Sequence, residues 1–287
     1  MSLPAPKSSD PAPATYQDED HASRGSSPTE DEVILATAGY DHCIKFWTAH
    51  TGKCMGTLQH PDSQVNAMEI SPDGQLLAAC GYQHIRMYDV HNTKPNPVVN
   101  FEGVSKNVMA VGFQEEGRWM YTGGEDGTVK IWDLRMRNLQ CQRIFQAGNI
   151  VNSVKLHPNQ QEVLVGDAAG FVHVWNLSNE QHQSLLHERD ASVQCVDIDT
   201  NGNLMAAITN KGTCYLTTSG TSSESEDWTL ASLFKPDCAA ASCKIDAHKK
   251  YGLKCKFSPD SKYLVSTSAD LTAKLWDTSN QDFVSVS

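Results

Sequence analysis

The sequence predicts an all-β fold, a WD-repeat β-propeller of about six blades, and three observations predict it. First, six segments share one shape: a turn, a short β-rich run, then an aromatic residue or its replacement. They run from Gly39-Tyr40-Asp41 to Trp47, Gly81-Tyr82-Gln83 to Tyr88, Gly124-Glu125-Asp126 to Trp132, Ala168-Ala169 to Trp175, Asn210-Lys211 to Thr217 and Ala269-Asp270 to Trp276. Second, those anchors are spaced by 41, 44, 43, 42 and 59 residues. A period of about 40–45 residues with a Trp-Asp signature marks this repeat. Third, a period-two apolar run recurs at the same place in five repeats. One repeat cannot bury its apolar face alone, so the units must stack side by side.

The elements follow in order. Residues 1–30 are Pro, Ser, Ala and acid with one aromatic, Tyr16. Such a stretch buries too little apolar surface to offset its ordering entropy, so a disordered tail is expected there. Ser27-Pro28 has the pattern of a phosphorylation site, or belongs to a plain tail. The propeller is expected over 31–287. Alternation places Asn66, Met68 and Ile70 on one face of Val65–Ile70. It repeats at Met109, Val111 and Phe113, at Asn152, Val154 and Leu156, at Gln194, Val196 and Ile198, and at Leu253, Cys255 and Phe257. Turn-rich stretches such as Ser71-Pro72-Asp73-Gly74 and Ser258-Pro259-Asp260 follow each run. The long last interval holds a Ser-rich loop insertion at about 217–242, in which Ser222, Ser223 and Ser225 lie near acids. The first repeat opens directly on a second strand, Val33–Ala38, with no inner strand before it. The last ends on an outer strand expected over Asp282–Val286.

Composition narrows the function classes. Net charge is −11, and residues 1–30 hold five acids against two bases. So acidic a chain is a poor match for nucleic-acid phosphates or anionic lipid. No apolar run reaches the ~18–20 residues of a membrane span, and Met1 to Asp10 lack signal-peptide features. A cytosolic or nuclear protein is therefore expected, with the cytoplasm taken as its location. The nine cysteines are scattered without a Cys-x-x-Cys, which argues against a disulfide framework or a zinc site and for packing.

In many repeats of this kind a His, a Ser or Thr, an Asp and the Trp form one hydrogen-bonded chain that fixes the turn. The last repeat has the set His248, Ser266, Asp270 and Trp276. The third has Thr122, Asp126 and Trp132, with Val104 in the His position, and the first has Thr37, Asp41 and Trp47. The second keeps His60 but has Tyr88 for Trp. The fourth has Val165 and Ala169, leaving Trp175, and the fifth has Thr217. Ser, His and Asp together also suggest a hydrolase triad, but no strained Gly-x-Ser-x-Gly elbow accompanies them, and they occupy repeat positions. No phosphate loop or metal-ligand spacing appears, so no cofactor is expected. Gly123-Gly124-Glu125-Asp126-Gly127 reads as a hairpin turn, and His182 and His187 read as loop residues.

Longer stretches are more specific. They are Ile34-Leu35-Ala36-Thr37-Ala38-Gly39-Tyr40-Asp41-His42, Gly81-Tyr82-Gln83-His84-Ile85-Arg86-Met87-Tyr88-Asp89, Gly117-Arg118-Trp119-Met120-Tyr121-Thr122-Gly123-Gly124-Glu125-Asp126 and Arg137-Asn138-Leu139-Gln140-Cys141-Gln142-Arg143-Ile144-Phe145-Gln146. Together they closely resemble the G-protein-β-like WD-repeat subunit of target-of-rapamycin kinase complexes, from about Val33 to about Asn280. The resemblance implies a seven-bladed, non-catalytic subunit of both complexes. It implies binding to the carboxy-terminal lobe of the kinase, with raptor-like and rictor-like subunits in the same assemblies. It also implies recruitment to lysosomal or other endomembrane surfaces through partners. This sequence departs from that family in its tail, at Thr217 with its longer loop, and in lacking the seventh repeat and its closing strand.

Candidate partner contacts are Tyr40, Tyr82, Gln83, His84 and Glu125 at the turns, and Gln64, Asn66, Asn107 and Asn152 at inner-strand starts. Tyrosine is favoured at binding hot spots; the alternative is that these residues cover turns and cap strands. Trp132-Asp133-Leu134-Arg135 resembles the Trp-Asp-x-Arg box of cullin-type ubiquitin-ligase substrate receptors, which makes that role the alternative function. An enzyme using a central channel is the third possibility, with no acid–base cluster to support it.

Overall fold

The computed structural model describes residues 33–92, 96–136, 139–218, 242–278 and 285–286. The expected tail and most of the Ser-rich insertion lie outside them. Strands of five or six residues, with the outer β-runs Val99–Phe101 and Ser285–Val286 shorter, alternate with turns, and every ladder joins consecutive strands in antiparallel fashion. Six separate sheets result, here numbered as blades. Blade 1 holds β1 (Ile34–Ala38), β2 (Cys43–Thr48) and β3 (Cys54–Gln59). Blade 2 holds β4 (Val65–Ile70), β5 (Leu76–Gly81), β6 (Ile85–Asp89) and β7 (Val99–Phe101). Blade 3 holds β8 (Val108–Phe113), β9 (Trp119–Gly124), β10 (Thr128–Asp133) and β11 (Cys141–Gln146). Blade 4 holds β12 (Val151–Leu156), β13 (Glu162–Asp167), β14 (Phe171–Asn176) and β15 (His182–His187). Blade 5 holds β16 (Val193–Ile198), β17 (Leu204–Thr209), β18 (Thr213–Thr218) and β19 (Ser242–Asp246). Blade 6 holds β20 (Gly252–Phe257), β21 (Tyr263–Ser268), β22 (Ala273–Asp277) and β23 (Ser285–Val286).

The core is a series of seams between successive blades. Ile44, Phe46 and Leu58 of blade 1 meet Leu77, Ala79 and Tyr88 of blade 2. Met87 and Phe101 then meet Met120 and Trp132. Tyr121, Val129 and Phe145 meet Val151, Val154 and Trp175. Val172 and Val174 meet Val193 and Val196, and Ile208 and Leu216 meet Leu264 and Trp276. Each fully buried aliphatic contributes roughly 1.5–3 kcal/mol, which one isolated sheet could not gain. In blades 2 to 5 the strands are therefore apolar on both faces, because each of these blades has a neighbour on either side. Blade 1 shows three strands among the described residues, with β1 paired only to β2. Its far face is open: Leu35 and Thr37 are exposed and Trp47 is half-buried.

Four expectations need correction. The inner strands do not alternate strictly, because the register shifts at their second residue, between Val65 and Ala67, Val108 and Ala110, Val151 and Ser153, Val193 and Cys195, and Gly252 and Lys254. A bulge there frees the second side chain from the ladder. His182 and His187 are not in a loop; they end β15, paired with Trp175 and Phe171. Gly123 and Gly124 belong to β9, so the turn itself is Glu125 to Gly127. Cysteine packing holds for Cys80, Cys195, Cys214 and Cys255, whereas Cys54 is exposed. Of the final outer strand, Ser285–Val286 pairs with Leu275 and Trp276.

Candidate docking face and blade locks

The turns between the second and third strands of the blades lie beside the starts of the inner strands, and backbone bonds repeat the arrangement. Val65 N donates to Gly39 O at 3.1 Å, Glu125 N to Asn107 O at 2.9 Å, Ala168 N to Ile150 O at 2.8 Å and Ala269 N to Tyr251 O at 2.9 Å. One face of the molecule is thus built of these turns.

Beneath that face sit the locks. In blade 6 the Trp276 indole N–H donates to Ser266 Oγ at 2.9 Å. Ser266 Oγ and His248 Nε2 are 2.8 Å apart, and His248 Nδ1 is 3.1 Å from Asp270 Oδ2. Asp270 also accepts from Thr272 Oγ1 at 2.6 Å. That hydroxyl, the Lys249 and Thr272 N–H groups and His248 hold its carboxyl well below the usual carboxylate range. In blade 3 Trp132 donates to Thr122 at 2.9 Å, while Asp126 takes Thr128 and Lys130 in place of a histidine. In blade 1 Trp47 donates to Thr37 at 2.7 Å, and Asp41 accepts from Cys43 N at 3.2 Å. In blade 2 His60 Nδ1 lies 3.0 Å from the Tyr88 hydroxyl. Burial, then Arg86, His84 and His42, push the His60 pKa down to about 4.

Blade 4 replaces the missing residues by a route that motif reading overlooked. Asp167, buried at the end of β13, accepts from Ala169 N at 3.0 Å and Phe171 N at 2.8 Å. His173 bridges it to Ser184, at 3.4 Å and 3.0 Å. The carboxylate has moved two positions ahead of the turn residue Ala169, and an outer-strand serine supplies the hydroxyl. A second repeated device was also missed. Arg86, Lys130 and Lys274 each donate to a carbonyl in the loop before their own inner strand, at Pro61, Gly103 and Ala247. An alternating Lys or Arg beside the Trp-Asp position is the signal that could have revealed it.

Most of the candidate contact residues come together at blades 2 and 3. Asn107 is the hub: its Oδ1 accepts from Gln64 Nε2 at 3.0 Å and Asn66 Nδ2 at 3.2 Å, and its Nδ2 donates to Glu125 Oε2 at 3.0 Å. Asn66, freed by its bulge, also reaches Val108 O at 3.2 Å. Asn152 makes the same reach in blade 4, to Val193 O at 2.8 Å and Ser192 Oγ at 3.0 Å, so it stands apart from the hub. Tyr82 bridges to Asn107 through the backbone, and Gln83 donates to Ser105 O at 3.1 Å. His84 is half-buried, and desolvation lowers its pKa. Tyr40 and Tyr82 project outward, 83% and 46% exposed. The network holds polar groups in fixed directions beside the exposed ring of Tyr82. Among the described residues no cluster of His, Cys, Asp or Glu could hold a metal ion.

Stacked antiparallel sheets, three of them locked by a hydroxyl–indole bond, define a WD-repeat β-propeller protein. A family model for the WD domain, G-beta repeat, matches residues 52–89 and 242–277. A β-propeller model described as Nucleolar protein 10-like, N-terminal domain, matches residues 82–226. The mouse protein named target of rapamycin complex subunit LST8 is 52% identical over 252 residues, covering 87% of this chain and 74% of its own length. The Drosophila melanogaster LST8 homolog is 46% identical over 251 residues, covering 87% of this chain and 77% of its own. The Saccharomyces cerevisiae target of rapamycin complex subunit LST8 is 42% identical over 246 residues, covering 85% and 77%. The chain belongs to the LST8 family of WD-repeat target of rapamycin complex subunits.

Proposed function

We propose that this chain is a non-catalytic scaffold that binds the carboxy-terminal lobe of the target-of-rapamycin kinase and stabilises it in both of its complexes, beside raptor-like and rictor-like subunits. The observation that carries the reading is the 52% identity over 252 residues to a protein named as a subunit of that complex. The hub at Asn107 supports it physically. A pre-bonded polar surface loses little ordering entropy on association, and Tyr40 and Tyr82 supply large contact area on stiff side chains. The working location is the cytoplasm, with recruitment to lysosomal or other endomembrane surfaces through partners. The ubiquitin-ligase alternative gains less support, because Arg135 is folded onto its own neighbour Asp133 through bonds of 3.0 and 2.6 Å.

Affinity purification of the tagged chain followed by mass spectrometry tests this. The kinase is expected among the recovered proteins, and Tyr40→Ala with Tyr82→Ala lowers its recovery while the thermal midpoint stays unchanged. Recovery of a cullin-ligase adaptor without the kinase would overturn the proposal.

A further inference from the structure

The docking face carries a second feature that the tyrosine network does not use. Leu271, in the β21–β22 turn of blade 6, is 96% exposed, and Tyr251 beside it is 61% exposed. Leu271 also holds a left-handed backbone, with φ of 69°. The equivalent position is Gly127 in blade 3, Gly170 in blade 4 and Gly212 in blade 5, with φ of 75°, 89° and 80°, and the polar residues His42 and Gln83 in blades 1 and 2, with φ of 61° and 60°; Leu271 is the apolar side chain among them. Glycine adopts that conformation readily, and small hydrogen-bonding residues do so occasionally. A leucine there costs stability twice, through backbone strain and through apolar area left in water. Strain and exposure at one residue point to a role in contact with something else.

The surroundings say what that is. The loops of blades 5 and 6 interlock on this face. His248 N donates to Gly212 O at 2.9 Å, Lys211 Nζ to Arg189 O at 2.9 Å, and Lys249 N to Asp270 Oδ2 at 3.2 Å. They bring together the exposed cations Arg189, Lys211, Lys249 and Lys250. The acids of the same loops are Glu188, Asp190, Asp246 and Asp270. Glu188 pairs with Lys244 at 3.4 Å and Asp270 is folded into its turn, which leaves Asp190 and Asp246 exposed. Cations therefore outnumber carboxylates in contact with solvent here, on a chain whose net charge is −11.

We propose that Leu271 and Tyr251, with Arg189, Lys211, Lys249 and Lys250 on the interlocked neighbouring loops, form a docking patch for an acidic protein segment bearing an apolar side chain. The apolar pair provides the anchor and the cations set orientation and capture rate. This goes beyond the kinase reading and does not depend on it.

The test uses the full chain and a short fluorescein-labelled peptide of Glu and Asp around a central Leu-Phe pair, read by anisotropy. Saturable binding that weakens as salt rises is expected. Lys249→Glu with Lys250→Glu weakens it at least ~10-fold, a loss typical of reversed charges at an interface. Leu271→Gly weakens it ~10-fold, about one buried anchor side chain, yet raises the thermal midpoint by relieving the strained turn. Equal binding of a Lys-substituted peptide, affinities unchanged within twofold in both variants, or preferential binding to phosphatidylserine vesicles would each overturn the proposal. Kinase recovery by the Tyr40 and Tyr82 variants reads the other reading separately.

Discussion

The same hydroxyl–indole bond occurs at two depths in this molecule, and replacing each hydroxyl separates what burial contributes. Thr122 accepts from Trp132 at 2.9 Å with both side chains buried. Thr37 accepts from Trp47 at 2.7 Å on the open face of blade 1. Thr→Val keeps the side-chain outline and removes the hydroxyl that accepts from the indole. At Thr122 the indole N–H loses its partner where water cannot follow, and an unsatisfied buried donor costs about 1–3 kcal/mol. At Thr37 water takes the vacated position, and the loss is the small net value of an exposed hydrogen bond, about 0.5 kcal/mol. Thr122→Val should therefore cost about 2 kcal/mol and Thr37→Val about 0.5 kcal/mol. Equilibrium urea unfolding of both variants measures the difference, with the m-value held as a check that the same transition is compared. Equal destabilisation within ~0.5 kcal/mol would refute the claim that burial, and not the bond itself, sets the strength of these locks.

Ser266→Ala strands two buried groups, the Trp276 N–H and His248 Nε2, and should cost about 2–4 kcal/mol in the same assay. Gly212→Ala places a Cβ 2.3 Å from His248 O and 2.6 Å from Lys250 O at a φ of +80°; a loss of at least ~2 kcal/mol is expected, and a wild-type urea midpoint would disprove the clash. His60 has a folded pKa of about 4 against 6.5 for an ordinary imidazole, so the unfolded chain takes up its proton first as pH falls. The stability it confers is complete above pH 6.5 and is lost towards pH 4. His60→Gln should flatten the thermal midpoint across that window. Asn107→Ala removes the partner shared by Gln64, Asn66 and Glu125, and should lower kinase recovery with little change in the urea midpoint.

The spacing of aromatic anchors made the blades legible, because stacking forces each sheet to repeat the same buried position. The hydroxyl–Trp pairs Thr37–Trp47, Thr122–Trp132 and Ser266–Trp276 were legible for the same reason: a fixed offset across one hairpin. Blade 4 was not. Its carboxylate, Asp167, sits in the strand, and its hydroxyl, Ser184, comes from the next strand, so no offset rule finds them. The hub at Asn107 was visible only as separate polar residues. What joins them is the inner-strand bulge, which turns Asn66 towards the neighbouring blade, and a bulge leaves no residue-type signature in this sequence. The strained leucine at position 271 carried no signal until the turn conformation of the other blades was known.

Every ladder among the described residues links strands that follow one another in the chain, and every apolar seam joins a blade to the one made just before it. Contacts of such short sequence separation favour rapid assembly. Each sheet emerging from a ribosome would find its packing surface already waiting. Blade 1, buttressed on one side only, should then be the first to exchange its amide protons, and the middle blades the last.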